Sequence, residues 1–245
     1  MLLLKKLFIL FILLFYTHCL KCQEEEEDTL SSNEYVYNDS IIDIYDKYNV
    51  LLGGDSVRKC GAKPCNGWVI DYYANGKILH KGFYNKGKLN NLYTNYYPDG
   101  TIERTFRIKS PLKAIMEVFY KNGNLMSKTY YYKGIAIATE EYYPNGKKEF
   151  EEKFNKQSQY HIYFNFYYPN GNPNTMMILK NKKKGIYSYT SYYPNGKIKE
   201  DGTLIFNWTL NDYIRYGLWK NYDKTGNLIR TDYYVKGTLT DPGEN

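Results

Sequence analysis

One short frame recurs along the chain and limits its fold more than any other feature. Tyr192-Tyr193-Pro194-Asn195-Gly196-Lys197 is rewritten with small changes at Tyr72 to Lys77, Tyr96 to Gly100, Phe119 to Gly123, Tyr142 to Lys147, Tyr167 to Gly171 and, more worn, Tyr222 to Gly226. The glycines Gly76, Gly100, Gly123, Gly146, Gly171, Gly196 and Gly226 are spaced by 24, 23, 23, 25, 25 and 30 residues. A near-constant period of that length marks stacked supersecondary units, each leaning on its neighbours.

Each part of the frame has a conformational role. Proline fixes φ at the first corner of a turn, Asn or Asp tolerates the left-handed region or bonds its own backbone, and Gly accepts positive φ. The two aromatics before the turn favour extended backbone and point to opposite faces of a sheet, so both faces carry tyrosine. A second turn falls between successive frames, near Asn85-Lys86-Gly87, Lys109-Ser110-Pro111, Lys133-Gly134, Asn155-Lys156-Gln157, Asn181 to Lys184, Asn207 to Asp212 and Lys236-Gly237. Two strands per unit over seven units predict about fourteen strands, each paired with its sequence neighbour. Such a meander can close into a barrel, fold as a sandwich or stay open. The fixed repeat and the aromatics on both faces favour an all-β, elongated, single-layer twisted antiparallel meander of hairpins. The loop between Cys60 and Cys65 is expected to cap one end, and Thr238 to Asn245 to blunt the other.

The N-terminal stretches differ in kind. Residues 1–22 carry Lys5 and Lys6 and then an apolar run from Leu7 to Tyr16, the pattern of a secretory signal too short to span a bilayer comfortably. The chain is therefore expected to be exported, to the cell envelope or secreted. Cys19 and Cys22 precede an acidic, polar stretch, which suits lipid anchoring at either cysteine; His18 and Lys21 before them suit ordinary cleavage instead. Residues 23–55 form an acidic tether and N-terminal segment, in which Tyr35 to Leu52 reads equally as strand or short helix. The repeat array occupies 56–240, and 241–245 is a tail. In an oxidising compartment Cys60 and Cys65 are expected to close a small disulfide loop.

Nothing in the array reads as catalytic machinery. There is no nucleophile elbow, no Gly-rich loop opening a helix and no paired histidines, since only His80 and His161 follow the leader. Glu140-Glu141 and Glu151-Glu152 are adjacent pairs that a strand sends to opposite faces, and they read as solvated charge. No catalytic residue, metal ligand or cofactor is assigned. Charge is more telling: residues 56–245 hold 29 Lys and Arg against 16 Asp and Glu. For an exported chain that excess points away from nucleic acid and towards a protein, a glycan or an anionic membrane surface. Lysines that merely keep an exposed sheet soluble would leave the same signature. The candidate binding surface is Lys180, Lys182, Lys183, Lys184, Tyr187, Tyr189, Tyr192 and Tyr193, in a run without acidic residues from Asn170 to Asn195. Oligomeric state is left open.

At Gly217-Leu218-Trp219 through Gly226-Asn227-Leu228, and at Gly67-Trp68 through Lys77-Ile78, the chain resembles the MORN-repeat variant family. The resemblance implies about seven MORN-like units between residues 60 and 240 and a scaffold that binds proteins or lies on anionic lipid. It also implies an alternative, because related bacterial proteins include YwqK-type antitoxin-like ones that neutralise a cognate toxin.

Overall fold

The computed structural model describes residues 43–240, and the leader, most of the tether and the tail 241–245 lie outside them. It begins with a short helix α1 (Asp43–Asp46), a 3-10 turn at Val50–Leu52 and a small hairpin, β1 (Lys59–Cys60) with β2 (Lys63–Pro64). Then come β3 (Gly67–Tyr72), β4 (Ile78–Asn85), β5 (Lys88–Tyr96), β6 (Ile102–Ser110), β7 (Lys113–Phe119), β8 (Leu125–Tyr132), β9 (Ile135–Tyr142) and β10 (Lys148–Phe154). The array continues with β11 (His161–Tyr167), β12 (Pro173–Asn181), β13 (Ile186–Tyr192), β14 (Ile198–Asn207), β15 (Asp212–Tyr222), β16 (Leu228–Val235) and β17 (Thr238–Thr240). From β3 to β17 they form one 15-stranded sheet in strict sequence order, all pairs antiparallel, so the array is an open meander.

Strict up-and-down order places the two kinds of turn on opposite edges. Every Tyr-Tyr frame turns at one edge, and a one-residue register shift precedes each of these turns, as between Asp71 and Tyr72 or Ser191 and Tyr192. The bulge sharpens twist at a fixed interval. The opposite edge carries the second turns, here called the tips. Three tips are two-residue loops with positive φ at both positions, for example Lys86 (φ 49°) and Gly87 (φ 75°), the geometry that matches strand twist in a tight hairpin.

Paired residues share a face, so the register traces a row across the sheet: Gly82, Tyr93, Phe106, Met116, Thr129, Thr139, Glu152, Phe164, Met177, Tyr189 and Gly202. Two apolar clusters occupy this face, one around Tyr84, Tyr93 and Phe106 and the other around Met177, Tyr187 and Trp219. Glycine near each end of the row leaves room for a bulky neighbour; a Cβ on Gly202 would meet the Trp219 ring. Burial in a one-layer sheet is thus made by large rings lying flat on it.

The first cluster is also roofed by residues 43–58, which resolves the strand-or-helix ambiguity for the described part of that stretch in favour of short helical turns. Tyr45 stacks on His80 with ring centroids 3.6 Å apart, and Asp46 accepts hydrogen bonds from Tyr93 Oη and Arg104. Arg58 pairs with Asp71, whose other oxygen-bonded donor is Tyr45. Cys60 and Cys65 are joined by a disulfide within the small hairpin. This hairpin does not run along β3 as an end cap. It closes on the tip of β4–β5 instead, where Gly87 N donates to Cys65 O and Arg58 N to Gly87 O. At β17 only Thr238–Thr240 belongs to the described residues, so the expected blunting by the tail lies outside them.

Candidate functional site

The two edges use similar residues differently. At the Tyr-turn edge the second aromatic of the first six frames reaches into the next unit. Tyr73, Tyr97, Tyr120, Tyr143, Tyr168 and Tyr193 each donate a hydroxyl hydrogen bond to the backbone carbonyl of Tyr96, Phe119, Tyr142, Tyr167, Tyr192 and Tyr222 respectively, at 2.6 to 2.9 Å. The turn asparagine has two tasks. In the turn of Gly146, Asn145 Oδ1 accepts from Lys147 N and its Nδ2 donates to Pro169 O of the next unit. Asn75, Asn122, Asn170 and Asn195 repeat the outward bond, to Pro98, Pro144, Pro194 and Lys224. Asp99 is the exception, because a carboxylate has no proton to donate; its Oδ1 accepts from Thr101 instead, and these bonds hold its carboxyl below the usual range. Lys77 and Lys147 reach carbonyls of the following turn as well. The side chains of this edge are engaged in holding unit to unit.

Sequence reasoning found the turn and missed this clasp. The signal was the period itself, since each donor and acceptor lie one unit apart.

The tips are organised otherwise. Lys86, Lys133, Lys156, Lys182, Lys183, Lys184 and Lys236 stand at five of the seven tips, neighbouring tips being two strands or about 10 Å apart; the loops Pro111-Leu112 and Trp208 to Asn211 carry none. Among the described residues Lys180, Lys182, Lys183 and Lys184 make no ion pair, and all four are exposed. The proposed tyrosine partners do not join them. Tyr187 is 1% exposed and donates its hydroxyl to His161 O, and Tyr189 packs near Trp219 on the same face. Tyr192 and Tyr193 sit at the far end of β13, seven residues or roughly 23 Å from the lysine tip, with Tyr193 in the clasp. Alternation along β13 explains this: its register aligns Tyr187 and Tyr189 with Leu204, Leu179 and Met177 on the apolar face. The eight residues are therefore not one surface.

What the lysine tip has beside it is a different set of aromatics. A cleft of about 390 Å³ lies among the tips of β10–β11, β12–β13 and β14–β15, with Tyr160, Lys182, Phe206 and Trp208 in its wall. Lys182 Nζ lies 5.5 Å from the Tyr160 ring centroid. Trp208 is 66% exposed and is held edge-on to Phe206, 4.7 Å between centroids. Nothing in the frame singles out Trp208. Its signal was an indole and Leu210 placed in a turn, where neither packs a core.

The acidic pairs also need correction as solvated charge. Glu140 accepts from Tyr142, Glu151 from Lys148, Asn165 and Tyr167, and Glu152 faces His161 Nε2 at 3.3 Å. Burial opposes ionisation of Glu151, yet those three donors hold its carboxyl below the usual range. Burial pushes the His80 imidazole down to about 4, against the bond that its Nδ1 donates to Asn95 Oδ1. Among the described residues no three His, Cys, Asp or Glu side chains form a group that could hold a metal ion. No helix among them is long and apolar enough to cross a membrane.

No curated protein matches the chain. Among solved structures it is similar to TarM at 12% identity, over 51% of this chain and 19% of that one, with a TM-score of 0.24. It is similar to a variant of S. aureus TarM at 11% identity, over 61% and 21%, with a TM-score of 0.23. It is also similar to the Photorhabdus luminescens Tc holotoxin pore at 9% identity, over 70% and 13%, with a TM-score of 0.19. The chain thus spans about a fifth or less of each of those structures. The family comparison is more direct: residues 67–86, 113–133, 138–156, 188–205 and 215–236 each match the MORN repeat variant. Clasped hairpins at a constant period and these five matches lead to one conclusion, that the chain belongs to the MORN repeat variant family.

Proposed function

We propose that the array is a non-enzymatic, exported binding scaffold, whose tip edge holds a protein, a glycan or an anionic envelope surface. The observation that carries this reading is the contrast between edges: the Tyr-turn side chains are engaged in clasping neighbours, whereas Lys182, Lys183 and Lys184 stand exposed without an ion pair among the described residues. Export rests on the composition of residues 1–22, and anchoring at Cys19 or Cys22 on the polar stretch that follows.

Replacing Lys182, Lys183 and Lys184 together by Gln tests the tip. Thermal stability is expected to stay unchanged while binding to anionic vesicles or envelope extract falls, with the loss greatest at low salt, where the Debye length is long. Equal binding by both proteins would leave these lysines as solubility chemistry. The antitoxin-like alternative, implied by the family, predicts recovery in the cytoplasm with an intact N-terminus; recovery in the envelope fraction supports the scaffold.

A further inference from the structure

We propose that the cleft walled by Tyr160, Lys182, Phe206 and Trp208 is a binding site for an acidic saccharide, an inference that rests on reading the tips as the functional edge. The cleft, at about 390 Å³, falls within the size range of small-ligand sites. Its chemistry is one-sided. Flat aromatic surface comes from Trp208 and Tyr160; of the polar ends around it, Lys182 Nζ and Trp208 Nε1 only donate, the Tyr160 hydroxyl can donate, and the Gln159 amide oxygen already accepts from Asn155. None of the first three has a hydrogen-bond partner among the described residues, and no carboxylate lines the cleft.

Exposed indole in a turn exposes apolar surface to water with no folding benefit, and here it is not loose. Phe206 meets the ring edge-on and, at 8% exposure, is itself anchored in the second apolar cluster, so the platform is positioned before any ligand arrives. Preorganised aromatic surface lowers the entropy cost of binding. The π-face of an indole is electron-rich and accepts the C–H face of a pyranose ring, while its edge and the neighbouring phenol present donors to ring hydroxyls. Lys182, on the tip between those of Tyr160 and Trp208 and 5.5 Å from the Tyr160 ring centroid, then selects a carboxylate or sulfate substituent. A peptide adding as an extra strand would need a free strand edge, whereas here the strands on either side are already paired, β12 with β11 and β13, β14 with β13 and β15. A lipid surface would engage the whole row of tips and would not need a cleft.

The test uses the full chain and its variants Trp208→Ala and Lys182→Gln. Each is titrated calorimetrically with a short galacturonate oligomer and with its neutral galactose counterpart, at low and moderate salt, after thermal unfolding has checked the fold. The parent is expected to prefer galacturonate. Trp208→Ala should weaken both sugars by about tenfold or more, as loss of a central aromatic anchor does, and Lys182→Gln should abolish the preference while leaving the neutral sugar unaffected. Absence of galacturonate binding by the parent, or unchanged binding by both variants, would overturn the proposal. Should Trp208→Ala fail to fold, the charge selectivity of Lys182→Gln decides alone. Lysine-dependent capture of anionic vesicles by a parent that ignores galacturonate would sink the saccharide site and leave the scaffold standing; failure of both would remove the scaffold reading as well.

Discussion

The two edges of this sheet are built from the same few residue types, Lys, Asn, Tyr and Gly, yet one holds the array together and the other is left to the solvent. At the Tyr-turn edge the second tyrosine and the turn asparagine reach a partner one unit on, so Tyr120 bonds Tyr142 O and Asn122 bonds Pro144 O, with Asp99 the exception. At the tips the neighbouring loops differ in length and sequence, and the lysines find aromatic rings or water. The difference teaches that in a repeat array a side chain is recruited for stability only where its distance to the next unit is the same every time. The tip edge is itself divided, since residues 43–66 cover the first tips while the cleft near Trp208 is open.

Acidification tests the covering segment and carries the largest effect. His80 lies buried beneath Tyr45, bonded to Asn95 and Tyr84, and faces Asp71 and Arg58. Its folded value of about 4 lies below the ordinary 6.5, so the unfolded chain takes up the proton first. The stabilisation is complete above pH 6.5 and is lost as pH falls towards 4, about 3 kcal/mol in all. Asp71, held low by Arg58 and Tyr45 despite burial, stays ionised through that window and adds its own loss only below it. Urea titrations at several pH values should show the slope in the parent and not in His80→Asn. A parent whose stability is flat between those pH values would contradict the account of the covered face.

Glycine substitutions sharpen the division between edges. Gly87 and Gly123 both have positive φ, but a Cβ on Gly87 would meet Val57 and the Arg58 carbonyl at 2.5 and 2.6 Å, whereas one on Gly123 meets nothing. Gly123→Ala should cost about 1 kcal/mol of backbone strain, and Gly87→Ala about 2 kcal/mol more as the covering segment is pushed off. Equal losses in thermal unfolding would mean that the segment gives way freely.

A smaller effect separates the hydroxyls. Tyr120→Phe removes one clasp bond and should cost about 1 kcal/mol, while Tyr160→Phe, whose hydroxyl has no partner among the described residues, should leave stability within error. The smallest effect is a gain. Asp99→Asn would supply the donor missing from one rung while keeping the acceptor used by Thr101, raising the thermal midpoint by about a degree or two. A lowered midpoint would mean that the charge of Asp99 matters more than the rung.

Much of the fold is legible from the frame, because Pro-Asn-Gly after two tyrosines fixes a turn from local chemistry alone and its recurrence fixes the neighbour order. The clasp is less so, since Asn145 satisfies its own turn and gives no local hint that Nδ2 is spoken for. Tyr187 and Tyr189 were misplaced because β-strand alternation is readable only once the register is known, and a run of lysines beside tyrosines looks like one patch in a linear text. Trp208 is hidden for the opposite reason: it breaks the repeat, so no recurring pattern points to it. The packing of residues 43–58 depends on contacts such as Asp46 with Arg104, 58 residues apart, for which no pattern in the sequence exists.

The division of labour between edges is tested most directly by a matched pair of variants, Lys182, Lys183 and Lys184→Gln at the tip and Asn145 with Asn170→Ala at the turns, each measured for thermal midpoint and for binding to anionic vesicles and to galacturonate. The account predicts that the tip variant keeps its midpoint and loses binding, and that the turn variant loses several degrees and, where folded, binds as the parent does. A tip variant that binds normally, or a turn variant that loses binding while keeping its midpoint, would contradict it.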